Sequence, residues 1–318
     1  MLLSRFAVGI FSAGLIVLGA GTVSGQDFPS KPIRFLPGGA GGPDFEARLI
    51  APGIAGPLGQ PVIVENRPVT LAIESVMKAP PDGYNLLVVS AVFLVSPLLQ
   101  DMRYDPVNDF SPITMLSREA SILIVHPSLP VKSVKELIAL AKAKPGALNY
   151  ASGPTGGGTH LSAELFKSMA GVNIVRIPYK GGGLAAIDVV GGHVEMMFAS
   201  PGTGTPHVKS GRVRALAVTG TKRSALLPDV PTVAASGLPG YEYVGLDAVY
   251  APAKTPAAII NRLNQEIVRF LSTAEAKQKA LAGGIEIVAS SPEELTAVIK
   301  SDMAKISKVI KSAGIKAD

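Results

Sequence analysis

Short apolar runs of strand length alternate with segments of helical period from about residue 30 to the C-terminus, and glycine-rich turns close several of the runs. Such alternation implies an α/β fold with mostly parallel sheets, because a parallel strand pair needs a crossover long enough to hold a helix. Expected strands are Lys31–Leu36, Pro61–Glu65, Asn85–Ser90, Ile122–His126, Asn149–Ser152, Ile174–Tyr179, Val194–Ala199, Val213–Thr219 and Tyr243–Tyr250. Asp44 can cap the helix after the first strand, and Pro52-Gly53 is expected to kink that helix or end it early. Further helices are expected over Leu71–Ala79, Thr159–Ala170, Leu184–Val190 and Glu275–Ala282, and after Thr255-Pro256. Ser133 with Glu136, and Ser291 with Glu294, have the spacing of capping boxes. Ligands of such sheets bind beyond the carboxyl ends of strands. Gly38–Pro43, Gly153–Gly158, Gly181–Gly183 and Pro201–Gly204 fall at those ends, so the 34 glycines and 26 prolines are placed where a binding site would be.

Composition narrows the function. Apolar residues make up 47% of the 318 and charged residues 17%, which excludes a disordered chain. The absence of cysteine excludes a disulfide scaffold, a thiol nucleophile, Cys-ligated zinc, iron–sulfur clusters and a lipid-anchored N-terminus. The net charge of +6 is spread along the chain with no clustered Arg interleaved with aromatics, so no nucleic-acid partner is expected. Arg5, the apolar run Phe6–Ala20, and small Val23 and Gly25 before Gln26 read as a signal peptide over residues 1–25, cleaved near Gly25. No second run is long enough to span a membrane.

No catalytic or cofactor motif in the sequence is complete. Gly153-Pro154-Thr155-Gly156-Gly157-Gly158-Thr159-His160 follows a strand and opens a helix, but Thr159 stands where a phosphate loop needs Lys. The loop still suits an anion, since glycines admit close backbone approach and a helix N-terminus carries partial positive charge. The Gly38–Pro43 loop lacks dinucleotide spacing. His126, His160, His193 and His207 show no metal-ligand spacing, and there is no Gly-x-Ser-x-Gly elbow. Neither a cofactor, a metal nor an enzymatic activity is expected.

The chain resembles the substrate-binding proteins of tripartite tricarboxylate transporters, the Bug family, over nearly all of its mature length. The likeness rests on Phe28-Pro29-Ser30-Lys31-Pro32-Ile33-Arg34, Leu58–Pro68, Ala79-Pro80-Pro81-Asp82-Gly83-Tyr84, Tyr104–Phe110, His126–Pro130, Gly153–Leu161, Ile177–Gly181, Leu227–Thr232 and Gly237–Glu242. It implies a two-lobed periplasmic binding protein of type II-like architecture, two doubly wound domains joined by a two-crossing hinge. Lobe one would comprise 26–120 and 246–318, and lobe two 121–245, with crossings near Leu116–Leu123 and Tyr243–Tyr250. The implied partners are a small carboxylate ligand and the large and small subunits of a membrane transporter, with the protein itself a monomer. A ligand-loaded sensor partner of a signalling receptor, or an exported enzyme acting on a small acid, are the alternatives.

Combined with the loop reading, the resemblance implies ligand contacts at Gly41, Gly42 and Asp44, and along the side at Ser90, Ala91 and Phe93. Opposite them, Ser152, Thr155, Gly156, Gly157, Thr159 and His160 would hold a carboxylate, with Tyr179 and Ser200 nearby. The sequence departs from the family pattern in places. Ala199-Ser200 stands where many members have Asp-Asn, and Leu246, beside an unusual Asp247, replaces a common Trp. Loss of an acid at 199 implies a ligand without an amino group.

Overall fold

The computed structural model describes residues 28–38 and 41–315, and the expected signal peptide lies outside them. Two five-stranded mixed sheets frame the molecule. The first uses β1 (Ile33–Pro37), β2 (Val62–Val64), β3 (Asn85–Ser90), β4 (Phe110–Ala120) and β10 (Val244–Pro252), in the order β2-β1-β3-β10-β4. The second uses β5 (Ile122–Val125), β6 (Asn149–Ser152), β7 (Val175–Pro178), β8 (Met196–Ala199) and β9 (Arg214–Val218), in the order β7-β6-β8-β5-β9.

Both sheets follow one plan. Three strands pair in parallel, β2-β1-β3 and β7-β6-β8. A fourth, β10 or β5, then lies antiparallel to both of its neighbours. The sheets are joined by β4 running into β5 across Ser121, and by the return segment between β9 and β10.

Helices cover both faces of each sheet, as buried, nearly all-apolar strands require. Around the first sheet lie α1 (Gly42–Leu58), α2 (Val69–Met77), α3 (Val92–Leu99), α8 (Ala257–Leu271) and α9 (Ala274–Ala282). Around the second lie α4 (Val134–Ala143), α5 (Gly158–Ala170), α6 (Gly182–Val190) and α7 (Pro201–Lys209). The last helix, α10 (Pro292–Ala313), serves both. Its Leu295 and Ile299 join the core beside β10, whereas Ile306 and Ile310 join the core of the second sheet. α3 divides in the same way, with Phe93 and Leu94 in the first core and Val95 in the second.

Three local expectations change. α1 does not stop at Pro52-Gly53 but continues through Pro52 and Pro57 to Leu58. An interior proline costs about 3 kcal/mol, yet Ala47, Ile50, Ala51, Ile54 and Leu58 are all buried along this helix, and that packing prevails. Its cap is Gly41 rather than Asp44, whose carboxylate accepts from Arg48 Nε at 2.9 Å. Beyond the strand that ends at Ser90, Ala91 caps α3, which opens at Val92. Pro201–Gly204, expected as a strand-end loop, instead opens α7, with Pro201 at its first position.

The box opening α10 is complete. Ser291 Oγ accepts from the Glu294 N–H at 3.1 Å, and Glu294 Oε2 accepts from the Ser291 N–H at 2.9 Å. At α4 only half forms: Ser133 accepts from the Glu136 N–H, but the Glu136 carboxylate takes the Lys132 N–H instead. Ser291→Ala is therefore expected to cost about 1 kcal/mol and to lower Tm by about 2–4 °C, read by differential scanning calorimetry.

Candidate functional site

A cavity of about 410 Å³ opens between the two sheets, within the range of small-molecule sites. Its first wall is the start of α1, Gly41, Gly42 and Pro43, with Ser90 at the end of β3. Its opposite wall is the start of α7, Ser200, Gly202 and Thr203. Two helix N-termini thus meet the cavity from opposite sides with partial positive charge, and Gly42 and Gly202 carry the N–H groups there that Pro43 and Pro201 lack. Phe45 and Ile285 add apolar surface, and Glu119 and Asp247 form part of the lining.

Of the residues anticipated from sequence, Gly41, Gly42, Ser90 and Ser200 line this cavity. Ser200 also donates from Oγ to Thr203 Oγ1 at 3.0 Å. Asp44 lies in the first turn of α1 and accepts from Arg48. Ala91 caps α3. Phe93 is fully buried, stacked on Tyr104 with ring centroids 5.2 Å apart and edge-on to Phe110 at 5.0 Å, so it serves the core.

The glycine-rich loop after β6 is tied mainly to itself. Arg176 on β7 donates to Ser152 Oγ at 2.9 Å, to Thr155 Oγ1 at 2.7 Å and to the Gly153 carbonyl at 3.1 Å. Thr159 Oγ1 accepts from the Gly153 N–H, His160 Nδ1 from the Gly156 N–H, and the Pro154 carbonyl from the Gly157 N–H. Gly156 packs against Leu99 and Val95 of α3. Tyr179 donates to Asp188 at 2.5 Å. None of these residues lines the 410 Å³ cavity.

Sequence reading did not anticipate the acids at the cavity floor. Glu46 of α1, Glu119 of β4 and Asp247 of β10 converge behind Gly42, where a Cβ would overlap Asp247 Oδ2 and lie 3.7 Å from Glu119 Oε1. Glu46 is 3% exposed and Asp247 5%. Burial, then the nearby Asp247 and Glu119 charges, push the Glu46 carboxyl well above the usual range, and Ser117 beside it opposes this only in part. Burial and Asp247 raise Glu119 to about 8, and burial raises Asp247 to about 6. A signal for Glu46 did exist: it lies four and eight residues before Ile50 and Ile54, on the buried stripe of α1. Among the described residues, no group of His, Asp and Glu has the geometry to hold a metal ion.

The family model for the tripartite tricarboxylate transporter family receptor matches residues 46–315. The chain belongs to this receptor family. Protein BugT of Bordetella pertussis is 32% identical over 325 residues, covering 99% of this chain and 98% of its own length. Among solved structures, R. palustris Rpa4515 with adipate superposes with a TM-score of 0.82 at 35% identity, over 92% of this chain and all of its own. MatC (Rpa3494) from Rhodopseudomonas palustris with bound malate gives a TM-score of 0.76 at 28% identity, over 89% of this chain and all of its own. Receptors of this family are two-lobed periplasmic binding proteins, and the two sheets here are the cores of the two lobes. The cavity lies where those lobes face each other. Among the described residues no helix is long and apolar enough to cross a membrane.

Proposed function

We propose that this receptor captures a small organic carboxylate between its lobes in the periplasm and delivers it to a tripartite tricarboxylate-type membrane transporter. The observation that carries the reading is the pair of helix N-termini, α1 from one lobe and α7 from the other, facing one cavity. Such termini favour anions, and a ligand with a carboxylate at each end can engage both. The solved relatives with adipate and malate support that ligand class. Lobe one, residues 26–120 and 246–318, and lobe two, residues 121–245, close on the ligand about the two strand crossings. Ser90, Ser200 and the backbone of Gly41 and Gly42 make the contacts, and the role is binding rather than catalysis.

A thermal-shift panel of di-, tri- and aromatic carboxylates tests this. A ligand at 100 times its Kd is expected to add about 2.7 kcal/mol of stability, and no shift with any acid would refute the reading. Delivery is checked by ligand uptake in cells lacking the transporter's large subunit, where uptake should disappear.

A further inference from the structure

We propose that Glu119 and Asp247 form a carboxyl-recognition subsite in the cleft, where a ligand carboxylate is held through a proton shared with these acids. The proposal rests on the carboxylate reading above and adds what neutralises the bound charge. Three acids from three elements converge at the cavity floor, and among the described residues no Lys, Arg or His forms an ion pair with any of them. Arg118, next in sequence to Glu119, is committed to Asp302 of α10 at 2.7 Å. Lys222 and Arg223 share an adjoining cavity of about 150 Å³ with Glu119 without pairing to it. In that cavity Glu286 accepts from Ser224 Oγ and the Ala225 N–H. Tyr250, further along β10, is buried and held neutral.

A second observation is independent of the acids. The strand register places Ser90 and Ser117 on either side of Asp247, and directly paired residues share a face. The Ser117 hydroxyl is fully buried beside Glu46, with no partner at full hydrogen-bond distance. A floor with this much unmatched polarity suits a polar guest.

Three ionised carboxylates here would repel a carboxylate ligand. A protonated one attracts it, because a carboxylic O–H donates a short, charge-assisted bond to a carboxylate oxygen. Two carboxyl groups that share a site in this way retain one proton between them. The proton is the one already on Glu119, or is taken from solvent as the ligand enters, and no bond between heavy atoms changes. The raised positions of Glu119 and Asp247 place that proton within reach near neutral pH. Binding is then linked to proton uptake, and affinity falls about tenfold per pH unit once free Glu119 ionises.

Isothermal titration calorimetry with adipate and with malate, from pH 6 to 9 in two buffers of different ionisation enthalpy, tests this on the mature protein. The probes' own carboxyls ionise near pH 4–5, so protons taken up above pH 7 belong to the protein. The expected result is uptake approaching one proton per ligand at pH 9, with affinity about five- to sixfold weaker at pH 9 than at pH 8. Glu119→Gln keeps an N–H donor and cannot titrate, so its affinity should be flat over that range. Binding without proton uptake, or an unchanged pH slope in Glu119→Gln, overturns the shared proton and leaves the carboxylate reading standing. Should neither acid bind, the titration is run with the acid selected by the thermal-shift panel, and failure of every acid in that panel overturns the two together. Tighter binding of an amine-bearing analogue without proton uptake shows instead that a ligand cation neutralises the floor. The wild-type proton count decides the matter even if the variant folds poorly.

Discussion

Gly284→Ala is expected to weaken ligand binding tenfold or more while lowering stability by about 1 kcal/mol. Gly284 follows α9 in lobe one and has φ of +82°, a conformation that penalises any side chain by roughly 1–2 kcal/mol. A Cβ there would also lie 2.7 Å from Gly202 Cα and 2.8 Å from Gly202 N, in the first turn of α7. Those are backbone atoms of the opposite lobe, and they cannot rotate aside as a side chain would. The overlap exists only while the lobes are together, so the substitution acts on closure. A tenfold loss corresponds to about 1.4 kcal/mol, a modest share of what such an overlap would cost. Gly202→Ala is the milder control, since its Cβ would stand 3.2 Å from the Gly283 carbonyl oxygen. Calorimetric titration with the carboxylate selected by the panel, alongside urea denaturation, separates the two effects. Unchanged affinity with normal folding would show that this contact does not govern closure.

Glu46→Met is expected to stabilise the unliganded protein by about 1–3 kcal/mol, the range associated with leaving a buried polar group unpaired. The gain should grow with pH. Glu46 has a folded pKa well above that of the unfolded chain, through burial and the neighbouring Asp247 and Glu119 charges. Below the unfolded value both states hold the proton and no difference arises. As pH rises past it, the unfolded chain ionises first, so wild-type stability declines until the folded pKa is reached. The slope is at most about 1.4 kcal/mol per pH unit for each such acid. Glu119 and Asp247 contribute in the same direction, up to about pH 8 and about pH 6. Urea unfolding at pH 5, 6, 7 and 8 should show wild-type stability falling with pH and the Met variant falling less steeply. A stability that rose from pH 5 to 8 would be incompatible with these acids being buried without counter-charge.

The strands were the most legible part of the fold. Asn85–Ser90 and Asn149–Ser152 were delimited correctly because each is a short apolar run closed by turn residues. α7 is hidden because Gly202, Gly204 and Pro206 all argue against a helix locally. What allows it is tertiary: a Cβ at Gly204 would come within 2.9 Å of Ala199, so the helix lies against the second sheet at a distance larger residues would prevent. In the site, strand-end loops led to Gly41, Gly42, Ser90 and Ser200. At the loop after β6, Arg176 on the neighbouring strand donates to Ser152 Oγ, Thr155 Oγ1 and the Gly153 carbonyl, a tie that no local pattern in the loop records. Asp247 stood out as an odd residue for the family, but its meeting with Glu46 and Glu119 depends on strand register and helix docking, which no local pattern records. The expectation of a ligand without an amino group had rested on the acid missing at 199. Glu119 and Asp247, from other elements, stand at the cavity in place of that acid.

α10 has a mechanical consequence for the receptor. Its proximal turns are anchored to one lobe through Leu295 and Ile299, and its distal turns to the other through Ile306 and Ile310. Between these anchors, Asp302 grips Arg118 at the end of β4, beside the strand crossing at Ser121. A rod fixed at both ends and pinned at its middle makes that ion pair a fulcrum. A swing of the lobes therefore loads α10 between its two anchors, at the turn that carries Asp302.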